Sequence, residues 1–131
     1  MKKNSKIMAG ILSLGLLTTG VLSVQADTIP TTFDASVPGL NNSTTAGGGQ
    51  RKVISNKDAY LNIYKISGNS KLDARAETGV SKGGPWVRLS GNNFGIALEN
   101  SIQKGETIHV RFSSDLLSYL PIKVTGDFQG N

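Results

Sequence analysis

Ala59-Tyr60-Leu61-Asn62-Ile63-Tyr64-Lys65-Ile66 decides the fold. Leu61 and Ile63 alternate with Tyr60, Asn62 and Tyr64, and a two-residue period marks a strand with one face on a core and one toward water. The same period recurs down the chain. Leu72, Ala74 and Ala76 oppose Asp73, Arg75 and Glu77; Val87 and Leu89 oppose Trp86 and Arg88. Phe94, Ile96 and Leu98 share one phase, Ile108, Val110 and Phe112 another (opposite His109 and Arg111), and Ile122 and Val124 close the series. Between them lie Ser67-Gly68-Asn69, Lys82-Gly83-Gly84-Pro85, Gly91-Asn92-Asn93 and Lys104-Gly105, all residue types that favour turns. Short alternating runs at close spacing predict an all-β chain: a small antiparallel β-sandwich, or an open barrel, of about six to seven strands. Asp115 to Leu120 reads as a helical turn or a crossing between sheets.

Upstream the composition changes. Residues 27–50 hold Pro30, Pro38, a Ser/Thr/Asn-rich stretch and Gly47-Gly48-Gly49, with little to bury beyond Ile29, Phe33, Val37 and Leu40. Such a segment does not repay the entropy of ordering, so it reads as a flexible arm in which Phe33 and Val37 supply at most one edge strand. The β domain is then 51–131. Residues 1–26 have the three parts of a secretory signal. A cationic start, Met1 to Lys6, precedes the uncharged Ile7 to Val24, and Val24-Gln25-Ala26 places cleavage after Ala26. Glycines, serines and threonines dilute the uncharged run, which argues for cleavage over a retained anchor, and so for no stable transmembrane span after processing. The expected location is extracellular, with surface attachment, if any, non-covalent.

The cut changes the charge. Of 14 Lys and Arg, Lys2, Lys3 and Lys6 leave with the signal, so 11 face 9 acids and the formal charge falls from +5 to +2. Little remains to recommend nucleic acid as a partner. The absence of cysteine excludes disulfides and thiol chemistry, and a single histidine excludes a multi-histidine metal site; no cofactor is expected. Catalytic patterns are equally thin. Ser101-Ile102-Gln103-Lys104 matches a serine–x–x–lysine pattern by chance, in a turn and without its companion motifs. His109 lies on the polar phase, where a histidine on a solvated sheet face lacks the positioned partner a base needs. The chain reads as a non-enzyme.

The outward phase is more informative. Tyr60, Asn62 and Tyr64 stand in a row, and Trp86 and Arg88 have the same outward phase; aromatic faces beside amide and guanidinium donors suit sugar rings. Arg75, Arg88 and Arg111 suit an anionic group. Against this, Tyr and Trp favour strands wherever they fall, and cross-strand aromatic pairs stabilise sheets without binding anything.

In its signal, its glycine-rich lead into Arg51-Lys52, Ala59-Tyr60-Leu61-Asn62-Ile63 and the closing Val124-Thr125-Gly126-Asp127-Phe128, the chain resembles small secreted cysteine-free β-proteins of Gram-positive bacteria. In layout it is also similar to lactococcin-type bacteriocins, small β-sandwiches with an ordinary secretory signal that act on lipid II. It departs from them in being longer, with one Trp and one His. The resemblance implies a class of envelope-directed secreted protein and transfers no site. The expected function is binding of a cell-wall glycan, an anionic polymer such as teichoic acid, or a lipid-linked precursor. A self-associating surface protein and a small cell-wall hydrolase are the alternatives.

Overall fold

The computed structural model describes residues 29–68, 70–79 and 82–131. The segment read as an export signal lies outside them. Among the described residues eight strands follow in order: β1 (Thr31–Val37), β2 (Ser43–Arg51), β3 (Ala59–Ile66), β4 (Lys71–Thr78), β5 (Val87–Ser90), β6 (Asn93–Leu98), β7 (Thr107–Ser114) and β8 (Ile122–Gln129). They form two four-stranded antiparallel sheets, a first in the order β1-β8-β3-β6 and a second in the order β2-β7-β4-β5. The architecture is a sandwich rather than an open barrel. The inward phases fill the space between the sheets. Leu61 and Ile63 of β3 and Val124 and Phe128 of β8 are buried with Leu72, Ala74 and Ala76 of β4 and Ile108, Val110 and Phe112 of β7. Phe33 packs on Phe112 with ring centroids 5.4 Å apart.

Two expectations are corrected. Residues 31–51 are not a flexible arm: they supply β1, an edge of the first sheet, and β2, an edge of the second. Their own apolar content did not require this, but each pairs along its length with a strand that is well anchored in the core. The glycine run has a place in that pairing. The register slips between Ala46 and Gln50, and Gly47, at φ +61°, lies so close to Phe128 that a Cβ would meet the Phe128 Cβ at 2.8 Å and its ring at 3.0 Å. The bulge brings Gln50 over the first sheet, where its amide donates to Phe128 O at 2.7 Å and to Thr31 Oγ1 at 2.9 Å and accepts from Gly130 N at 2.7 Å. One side chain thus ties the two layers together.

The second correction concerns Phe94, which is 65% exposed instead of sharing the core with Leu98. Gly95 at φ +69° and a register slip between Leu61 and Ile63 break the alternation, turning the ring outward against Tyr64. Residues 115–121 form no helix; they cross from β7 in the second sheet to β8 in the first.

Register also fixes which loops are neighbours. Val37 pairs with Ile122, Ser43 with Ser113, Ile66 with Val124, Leu72 with Ser114 and Lys71 with Ser90. Residues 38–42, 67–68, 70, 91–92 and 115–121 therefore gather at one end of the sandwich. Every described strand and core residue lies within 31–131, so the chain from Asp27 onward contains all the described elements of the sandwich.

Candidate functional site

The outer face of the second sheet is built around a register that is unfavourable by itself. Antiparallel pairing of β4 with β7 sets Arg75 directly opposite Arg111, and Glu77 opposite His109. Like charges directly opposite on a sheet repel. Glu77, whose side chain is 1% exposed, resolves the conflict. Its Oε2 accepts from Arg75 Nη2 at 2.5 Å and Nε at 3.1 Å, and its Oε1 accepts from Arg111 Nε at 2.6 Å. His109 Nε2 stands 3.3 Å from the same Oε1. Burial pushes the Glu77 carboxyl up, but the hydrogen bonds from Arg111, Arg75 and His109 outweigh it and hold the group below the ordinary carboxylate range. His109 is therefore not on a solvated face: it is half-buried beside a carboxylate that Arg111 shares.

A second charged set lies next to this one. Arg88 Nε donates to Asp73 Oδ1 at 2.7 Å, while Nη1 and Nη2 each reach an Asp115 oxygen at 2.9 Å. The hydrogen bond to Asp115, with those of Asp73 added, outweighs the opposing effect of burial and binds the Arg88 proton more tightly than usual. With two carboxylates around it, Arg88 has little left to offer a ligand.

Above Glu77 the face opens into a groove of about 620 Å³ lined by Asn41, Ser43, Asp73, Arg75, Glu77, Trp86, Arg111 and Ser113. Trp86 is placed there by its glycine lead. Gly83 bridges to Glu77, and a Cβ on it would meet Arg75 Nε at 2.8 Å; Gly84 N donates to Ala76 O at 2.9 Å. A Cβ on Gly84 would meet Glu99 O at 1.8 Å, so this approach has no room for a side chain there. The next aromatic ring then lies beside Arg75, whose guanidinium carbon is 4.6 Å from the indole centroid. Trp86 remains 43% exposed. Arg111 Nη1 donates to Ser43 Oγ at 2.9 Å, so a residue read as part of an arm forms the groove wall.

Tyr60, Asn62 and Tyr64 do share a face, as expected, but it is the outer face of the first sheet. β3 and β5 belong to different layers, so an outward phase means opposite sides of the molecule, and Trp86 and Arg88 do not join the tyrosines. On that side Tyr64 and Phe94 stack at 5.9 Å, and the polar groups are already occupied with one another. Asn62 Nδ2 donates to Asp127 Oδ1 at 2.9 Å, Asn62 Oδ1 accepts from Gly95 N at 2.7 Å, and Tyr64 donates its hydroxyl to Asp127. That bond pushes the Tyr64 phenol up.

Sequence reasoning passed over Glu77, Asn41, Ser43 and Ser113. Only the strand register, which pairs β4 with β7 and β7 with β2, brings them together. Among the described residues no group of three or more His, Asp or Glu is placed to hold a metal ion. Comparison with models of protein families, with characterised proteins and with solved structures gives no match to this chain.

Proposed function

We propose that the chain is a secreted, non-catalytic binding module for a cell-envelope glycan, and that the groove on the second sheet receives it. The observation that carries this reading is Trp86. It is a solvent-open indole braced by Arg75 at the rim of a concave, polar groove, the combination of ring face and convergent donors that saccharides need. Each groove arginine already meets a carboxylate, which favours a glycan over a polyanion such as teichoic acid. A hydrolase reading gains least support: Asp73 is held by Arg88 and Glu77 by two arginines, leaving neither carboxylate placed to move a proton.

The test is co-sedimentation of the Asp27–Asn131 chain with purified Gram-positive walls, intact or stripped of teichoic acid. Binding is expected to survive stripping, to be lost in Trp86→Ala and to persist in Tyr60→Ala. Full binding by a folded Trp86→Ala variant would sink the groove. A second reading rests on the Tyr60, Tyr64 and Phe94 rings, respectively 40%, 48% and 65% exposed, as an aromatic surface. It predicts the opposite result for the two variants.

A further inference from the structure

The crossing from β7 to β8, Asp115-Leu116-Leu117-Ser118-Tyr119-Leu120-Pro121, runs against the burial logic of the rest of the chain. Leu116 is 67% exposed, Leu117 and Leu120 each 77%, and Tyr119 74%. Scattered single apolar residues on a surface need no explanation, but four in a run of five do. The segment is not loosely held. Leu40 N donates to Ser118 O at 2.6 Å, Asn41 N to Asp115 O at 3.1 Å and Ser118 N to Asp115 O at 3.1 Å. Gly39 lies so close that a Cβ would meet Ser118 O at 2.2 Å. The backbone is braced while the side chains face outward.

Leu40 extends the same patch. It is 51% exposed at φ 62°, a conformation that suits Gly or Asn and is costly for leucine. Strain of this kind, kept at a solvent-facing leucine, is typical of positions held for contact.

Cations flank the patch on both sheets. Lys65 and Lys123 are exposed at the first sheet's end and Lys71 at the second's. The carboxylates here are already paired, Asp34 with Lys123 at 3.2 Å and Asp115 with Arg88. Lys65 and Lys71 make no ion pair among the described residues.

We propose that this end of the sandwich is a membrane-seating tip: the leucines and Tyr119 enter the interfacial layer of an anionic bilayer, and Lys65 and Lys71 meet its headgroups. Two arguments select a lipid surface. The patch is a short braced loop carrying four exposed apolar side chains rather than the face of a sheet. An amphipathic tyrosine among leucines, ringed by lysine, matches the layering of the bilayer interface. The inference is independent of the glycan groove.

The test uses the Asp27–Asn131 chain and vesicles of phosphatidylcholine with or without phosphatidylglycerol. Because the chain lacks cysteine, Leu117→Cys accepts a single environment-sensitive dye. Binding to the anionic vesicles, with a blue shift of the dye, is the expected result. A Leu116→Ser/Leu120→Ser variant should lose affinity by about tenfold or more for each leucine kept from the interface, with its melting temperature unchanged. A Lys65→Gln/Lys71→Gln variant should lose the preference for phosphatidylglycerol. The proposal is overturned by no binding to either vesicle, by equal binding to both, or by undiminished binding of the serine variant. It is equally overturned by a concentration-dependent dimer, dissolved by the serine substitutions, that leaves vesicles untouched.

Discussion

Replacing Glu77 with glutamine isolates the interaction that holds the second sheet together. The amide keeps the carboxylate's size but removes its charge, leaving Arg75 and Arg111 facing each other across β4 and β7. Breaking a buried ion pair by neutralising one partner costs about 3–5 kcal/mol. Here the arginine side chains are 24% and 28% exposed and recover some hydration, which lowers the expectation to roughly 2–4 kcal/mol. For a domain of this size that is a melting temperature lower by roughly 10–20 °C at neutral pH.

The pH dependence sharpens the test. Glu77 has a folded-state pKa below its unfolded value, so its contribution is complete above the ordinary value of 4.5 and is lost as pH falls through the depressed folded one. The neutral amide of the Glu77→Gln variant resembles the protonated acid, so the stability gap should be widest near neutrality and shrink as pH falls through the depressed folded-state value. Glu106 is also held low, by the backbone N–H of Gln103 before Lys82, but both proteins share it and it cancels in the difference. Urea denaturation of both proteins from neutral to acid pH measures the gap. A gap that stays constant with pH, or one under about 0.5 kcal/mol at neutrality, would refute the assignment of Glu77 as the charge that makes this register tolerable.

Two further substitutions probe close approach and strain. Gly126→Ala puts a Cβ at 2.0 Å from Asn62 O, where β3 and β8 pair at the centre of the first sheet; the chain should lose more than about 3 kcal/mol, read as a collapsed melt or insoluble expression. A variant melting within a few degrees of the parent would show that β3 and β8 can separate freely there. Leu40→Asn relieves a left-handed leucine and should raise stability by about 1 kcal/mol while weakening vesicle binding. Unchanged stability would mean the loop relaxes in solution.

What the sequence revealed and what it hid follow one physical division. Alternation reports whether a side chain faces the core, so the inward residues of β3, β4, β7 and β8 were legible from Leu61, Leu72, Val110 and Val124. It does not report which sheet a strand joins, so Tyr60 and Trp86 looked like neighbours although they lie on opposite faces. Burial by a partner is hidden too: β1 and β2 have little apolar content and are ordered by pairing with β8 and β7. Glu77 was invisible for the same reason, being an unremarked acid on a polar phase until register surrounds it with Arg75, His109 and Arg111. The single-residue slip at Gly95, which exposes Phe94, breaks the period the reading depended on.

The two proposals meet at one dipeptide. Leu40 belongs to the apolar tip and Asn41 lines the groove, and Asp115, the first residue of the crossing loop, holds Arg88 against Asp73 of the groove wall. With the tip seated in a bilayer, the groove's Asn41 end lies near the headgroups, the height at which a glycan carried on a lipid is presented. A free wall glycan has no such constraint. Binding measured on vesicles that carry a lipid-linked saccharide therefore distinguishes the two: coupling requires that the unaltered chain bind them much more tightly than plain vesicles or soluble glycan, and that Trp86→Ala or Leu116→Ser/Leu120→Ser alone remove that gain. An affinity no greater than that of the stronger single interaction would leave the groove and the tip as two separate surfaces that happen to share a loop.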